Sequence, residues 1–229
     1  MGGDDIFPGN LFNFGPLGIG ETVLTTWAIM ALLAVPAALF TRRLAIRADA
    51  LQAAVEGVVS AIESSIDAVA PGHTRQLLPF IGTLWIFIVI ANLCGLIPGL
   101  HSPTRDLSAT AALAFLVFVA SHWYGIRAQG LKSYFRHYLT PSPVLLPFHI
   151  ISEITRTVAL AVRLFGNMMS LEMAALLILF VAGFLVPIPI LMLHIVEALV
   201  QAYIFGMLAL IYIAGGLQSQ QLRYQKSEE

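Results

Sequence analysis

Apolar residues run along this chain in blocks long enough to cross a lipid bilayer, separated by short clusters of charge, proline and glycine. A membrane-spanning helix needs roughly 20 apolar residues at about 1.5 Å of rise each. The first block, residues 22–40, carries no charge and ends at Thr41-Arg42-Arg43. The second, 77–98, ends at a Pro98-Gly99 turn, and the third, 107–126, follows a short loop holding His101, Arg105 and Asp106. Residues 44–70 read differently, with Arg47, Asp49, Glu56, Glu63 and Asp67 set among Leu, Val, Ile and Ala. Glu56, Glu63 and Asp67 are spaced by seven and four, which puts them on one helical face and predicts an amphipathic helix lying on the membrane surface.

The last third of the chain is longer than a simple span allows. Residues 145–184 make about 60 Å of helix, twice the roughly 30 Å hydrocarbon thickness. Pro187-Ile-Pro189 then interrupts the pattern, and 190–217 supplies a further helix of about 42 Å. A hydropathy window would set a span over 173–193, with both prolines deep inside it. Two long, inclined helices joined at 183–189 avoid that conflict. The pattern therefore predicts an all-α integral membrane protein: one membrane domain over 1–229, about five transmembrane helices, one amphipathic surface helix, and the last two spans paired as a long tilted hairpin. Residues 1–21 form an outer segment and 218–229 a cytoplasmic tail.

Composition supports a lipid environment. The chain is 58% hydrophobic and 11% charged, and its mean hydropathy is +0.84. A net charge of −1 with scattered basic residues argues against nucleic acid as a partner. Cys94, the single cysteine, reads as a small packing residue. His73, His101, His122 and His137 stand singly near span ends, so no metal site is expected. Asp4 and Asp5 replace the basic start of a cleavable leader, and no phosphate-binding loop or cofactor motif is present. Basic residues predict orientation. Arg42, Arg43, Arg47, Arg75, Arg127, Lys132, Arg136, Arg223 and Lys226 fall on one side and only Arg105 on the other, which makes the first side cytoplasmic, with the N-terminus outside.

Arg163 is the residue that does not fit a lipid-facing helix. An ionisable group at membrane depth costs from a few to about 10 kcal/mol or more, so it persists where it meets a partner or a water-filled cavity. Its guanidinium does not release its proton, which suits a permanent counter-charge better than a proton carrier. Asn167, Arg156 and His149 lie within about 40° of it around the helix, whereas Glu172 is near 180° away. On the last span His194, Glu197 and Gln201 follow at i, i+3 and i+7, again one polar face. Two polar regions separated by a fixed cation suit an ion path with two half-channels. The competing reading is an internal ion pair of Arg163 with Glu153 or Glu197.

The run Arg163-Leu-Phe-Gly-Asn-Met168, with Glu172, His194 and Gln201 downstream, closely resembles subunit a of the F-type ATP synthase, and the resemblance extends from about Leu77 to Tyr212. Pro103-Thr-Arg-Asp-Leu-Ser-Ala-Thr110 resembles that family's Pro-Thr-x-Asp-x-Asn-x-Thr, with Ser108 in place of Asn. The resemblance implies a stationary, non-catalytic subunit that passes H+ or Na+ to and from a rotating c-ring, held with peripheral-stalk b subunits in the bacterial inner membrane. It further implies Arg163 as the counter-charge, Asn167 and Gln201 beside it, and Glu172 with His194 lining the outer half-channel. His149 and Arg156 match an inner polar stretch where relatives often carry a carboxylate at the position of His149. Glu153, Glu197 and Asp106 are further channel-lining candidates. Glu172 and His194 are expected to meet across the hairpin. A secondary transporter or a stand-alone channel is the alternative, but matching repeats and symmetric pore rings are not found.

Overall fold

The structure, a computed structural model, describes residues 10–14, 17–41, 50–97, 102–130, 146–182 and 187–228. Five of its helices are long and apolar enough to cross a membrane. The chain is thus a predominantly α-helical integral membrane protein with several spans, and among the described residues its only strands lie near the N-terminus. There β1 (Asn10–Phe14) and β2 (Leu17–Gly20) pair antiparallel, with Phe14 opposite Leu17 and an irregularity between Asn10 and Phe12.

Helix α1 (Glu21–Thr41) stands at the edge of the bundle, with Trp27 62% exposed and Ile29 its buried contact. Helix α2 (Ala50–Val69) is amphipathic: Ile62 and Ile66 are buried, and Glu56, Glu63 and Asp67 are exposed. It rests on α3 (Thr74–Cys94) and on the last helix. A single 3-10 turn (Pro103–Arg105) leads into α4 (Leu107–Gln129), whose N-terminus Asp106 caps by accepting from the Ser108 amide at 2.9 Å. Helices α5 (Leu146–Ala182) and α6 (Pro187–Glu228) form the hairpin. Pro187 opens α6, the position where a missing amide costs nothing. The residues that read as a chain break are therefore a helix start. At its other end α6 runs on to Glu228, well past the apolar block that ends at Leu217, because a helix does not stop where lipid stops. The Arg42–Asp49 connection, the loop 131–145 and the hairpin turn 183–186 lie outside the described residues, and with them Arg42, Arg43, Arg47, Lys132 and Arg136.

The core sits between α3, α4, α5 and α6. Leu77, Ile81, Trp85 and Ile88 of α3 meet Ala114 and Val117 of α4, Leu160 and Leu164 of α5, and Phe205, Leu210 and Ile213 of α6. Lipid tails are as apolar as leucine, so close van der Waals packing holds these helices more than burial as such. Small residues permit that closeness: Ala161, Ala202, Ala209 and Ala214 all lie in the interface. The tightest approach is at Gly206. A Cβ there would fall inside van der Waals contact of Trp85 Nε1, Cδ1 and Cε2. The indole stacks on Tyr203, with centroids 5.7 Å apart, and donates to the Tyr203 carbonyl at 3.3 Å.

Gly206→Ala is expected to destabilise the folded subunit by roughly 1–3 kcal/mol, the usual cost of overpacking a rigid contact. Thermal melts in detergent measure it. Combining it with Trp85→Leu should cost less than the sum of the two single changes, because the second removes the obstacle met by the first.

Candidate functional site

Each polar side chain in the bundle is carried by a membrane helix or by the turn before α4. Arg163 sits on α5 between two groups that reach toward α6. One turn onward, Asn167 Nδ2 donates to Gln201 Oε1 at 2.6 Å, a direct bond across the hairpin. Two turns back, the Arg156 guanidinium lies 5.7 Å from the centroid of the Tyr212 ring, and its Nη1 is 3.8 Å from Glu153 Oε1. Arg163 itself is exposed and forms no ion pair among the described residues. Glu153 is engaged with Arg156, and Glu197 pairs with no cation among the described residues, so the internal ion pair that would have explained Arg163 is not there. A permanent charge left open on the side of a membrane helix is costly unless something outside this chain meets it.

Glu172 lies on the far side of α5, as its 180° offset requires. Its Oε1 accepts from Arg105 Nη1 at 2.6 Å, and its side chain is 19% exposed against 38% for Arg105. The expected direct contact with His194 is absent: no hydrogen bond joins the two, and His194 Nε2 is buried without a hydrogen-bond partner among the described residues. The reason is topological. The turn before α4 packs against α5 and supplies Glu172 with a guanidinium from a different part of the chain. His194 instead lies beside Gly95, where a Cβ would come 3.8 Å from the imidazole Cε1 and 3.1 Å from Ser102 Cβ. Glu172 and His194 thus lie near the same turn with no hydrogen bond or ion pair between them.

A buried polar knot holds that turn. Ser102 Oγ donates to the Ala91 carbonyl at 2.8 Å and is 2.6 Å from Thr104 Oγ1, which in turn donates to Asn92 Oδ1 at 2.8 Å. Asn92 Nδ2 completes the chain by donating to the Ala198 carbonyl on α6 at 3.2 Å. Asn92, Ser102 and Thr104 are all buried. These positioning residues, and Arg105 as a partner for Glu172, were not anticipated from the pattern. Asn92 offered a signal, since it interrupts the apolar run from Leu84 to Cys94. Asp106 caps α4, which accounts for it locally. His149, Glu153 and Arg156 lie together on the first turns of α5, away from Glu172. Gln201 is buried, and its Nε2 also lacks a hydrogen-bond partner among the described residues.

Comparison with known proteins shows the family. Residues 23–214 match the family model described as ATP synthase A chain. The "ATP synthase subunit a 1" of Hahella chejuensis is 68% identical over 206 residues, covering 90% of this chain and 88% of that protein. The "ATP synthase subunit a 2" of Pelobacter propionicus is 63% identical over 219 residues, covering 96% of each. The "ATP synthase subunit a" of Legionella pneumophila (strain Corby) is 54% identical over 226 residues, covering 98% of each. Matches of this extent run through the first four described helices and the hairpin alike, and they make the chain a member of the ATP synthase A chain family, subunit a of the F-type ATP synthases.

Proposed function

We propose that this chain is the stator ion-channel subunit of a rotary F-type ATP synthase in a bacterial inner membrane, carrying H+ or Na+ through two half-channels to and from a ring carboxylate. The observation that carries the reading is Arg163: a guanidinium on a membrane helix, exposed, and with no ion pair among the described residues. A carboxylate on a c-ring passing that guanidinium is favoured in its ionised form and gives up its ion into the adjoining exit path. The same positive charge opposes direct passage of cations between the half-channels. The bond from Asn167 to Gln201 supports a fixed setting for the arginine, since it locks the α5–α6 register one turn away.

The outer half-channel runs past Glu172 and His194. A carboxylate and an imidazole are the groups that relay protons near neutral pH. The inner half-channel runs along His149, Glu153 and Arg156. The apolar stretch of α5 from Pro147 to Val181 spans about 50 Å, which a helix normal to the bilayer cannot bury, so it inclines along the ring surface. Its exposed Val158, Val162, Met169 and Met173 then face the partner ring. Peripheral-stalk b subunits and the nucleotide-hydrolysing subunits complete the machine, and ATP turnover belongs to them.

Arg163→Ala should abolish ATP-driven ion uptake into inverted vesicles while the complex still assembles, because the charge is lost and the helix is kept. Arg163→Lys should also fail or nearly fail, since it lacks the planar fork. Normal uptake by the Ala variant would end this reading.

Orientation is tested separately. In a background with Cys94 replaced by Ser, cysteines at Ala128 and Ser227 should label from the cytoplasmic side, and one at Leu107 only from outside. The reverse pattern would overturn the argument from basic residues.

A further inference from the structure

The mouth of the proposed outer path carries a cation of its own. Arg105 occupies the variable position of the Pro-Thr-x-Asp run, on the 3-10 turn between α3 and α4. Its backbone is held on both sides. Ser102 and Thr104 are tied into the buried knot with Ala91 and Asn92, and Asp106 is tied to the start of α4. The side chain is the reverse: the guanidinium is more than one-third exposed and reaches Glu172 through a single contact, Nη1 to Oε1 at 2.6 Å. A rigid base with an exposed, singly bonded end describes a tethered ion rather than a structural brace. A structural brace would be a buried, two-pronged arginine–carboxylate fork.

We propose that Arg105 is a tethered competitor for the transported cation at Glu172. This rests on the reading of Glu172 as a relay of the outer half-channel. A proton or a sodium ion arriving from outside neutralises the same carboxylate that the guanidinium already neutralises, so loading Glu172 requires Arg105 to swing away. Tethering keeps the guanidinium at a high local concentration that bulk dilution does not lower. The exchange needs no other reactant: one cation binds to the carboxylate as the other returns to water. Other charged or titratable groups on the elements packed here include Asp106, engaged in capping α4, Cys94 on α3, Arg163 on α5, and His194 and Glu197 on α6.

The device acts with opposite consequences in the two directions. During synthesis ions enter from outside, and Arg105 raises the outer concentration needed to load Glu172. During ATP-driven pumping ions leave by the same route, and Arg105 promotes their discharge and protects the outward step from inhibition by ions already outside. Removing it therefore shifts two concentrations the same way. The half-saturating outer ion concentration for synthesis falls, and the half-inhibitory outer ion concentration for pumping falls with it. A residue that only stabilised the turn would lower the maximal rates and leave both concentrations where they were.

The test uses the reconstituted whole complex in proteoliposomes with its nucleotide-hydrolysing subunits facing the bath, so that the lumen is the outer side. Lumenal pH at fixed Na+, and then lumenal Na+ at fixed pH, are varied for wild type, Arg105→Gln, Arg105→Lys and Glu172→Gln. Arg105→Gln should lower both the half-saturating and the half-inhibitory concentration of the coupling ion by about threefold or more, the scale of a half-exposed ion pair. Arg105→Lys should stay near wild type. Raising ionic strength with choline chloride should shrink the difference, because at about 1 M salt screening reaches within roughly 3 Å. If Glu172→Gln cripples transport while Arg105→Gln moves neither concentration, the competitor proposal is overturned and the channel reading stands. If Glu172→Gln transports normally, the outer-relay reading fails first and takes the proposal with it.

Discussion

Lipid offers a polar group no hydrogen bond and offers an apolar group no reason to leave it, and the arrangement of this chain follows from that double constraint. Helices associate where small residues let backbones come close, and they are fixed in register where a polar side chain finds a partner on a neighbour. Gly206 against Trp85 is the first kind of contact, and Asn92 to the Ala198 carbonyl and Asn167 to Gln201 are the second. Each interhelical hydrogen bond of this sort contributes about 0.6 kcal/mol on average and up to about 2. The sum is modest, but the alternatives leave an amide unsatisfied in hydrocarbon, so the bonds select one register more than they add stability.

Against that rule Arg163 stands out by what it lacks. Its neighbours one and two turns away are engaged with α6, through Gln201 and Tyr212, whereas its own guanidinium is exposed on the outside of the bundle. The same sequence that satisfies Asn92 within the chain leaves Arg163 without an ion pair among the described residues. His194 Nε2 and Gln201 Nε2, buried and unpartnered among the described residues, carry a smaller version of the same cost, roughly 1–3 kcal/mol each. Among the described residues the buried side-chain groups left unsatisfied both lie on α6, whereas the buried polar side chains of the turn and α3 all find partners.

Much of this was legible in the sequence, and the failures have physical causes. Five apolar blocks gave five helices because membrane spans are the strongest pattern a sequence carries, and the spacing of Glu56, Glu63 and Asp67 gave the exposed face of α2. Helical angles alone put Asn167 on the side of Arg163 and Glu172 opposite. Helix ends were less legible: α6 continues to Glu228 through residues that are polar but good helix formers, which hydropathy cannot report. The short hairpin of β1 and β2 was missed because its two strands are only five and four residues long. The pairing of Glu172 was missed for a different reason. Its partner comes from a turn 67 residues earlier, and spacing within a hairpin cannot foresee a third element packing against one of its arms.

That third element also ties its end of the bundle together. The turn before α4 is bonded to α3 through Ala91 and Asn92, Asn92 is bonded onward to α6 at Ala198, and Ala198 lies one helical turn from His194. Arg105 extends the same turn to α5 at Glu172. The backbones of α3, the turn and α6 are therefore coupled by buried hydrogen bonds, and relative motion among them would break several at once. The half-exposed side chain of Arg105 is under no such restraint. Motion at this turn is therefore easier for a side chain that exchanges one exposed contact for water than for a helix that must surrender a buried network.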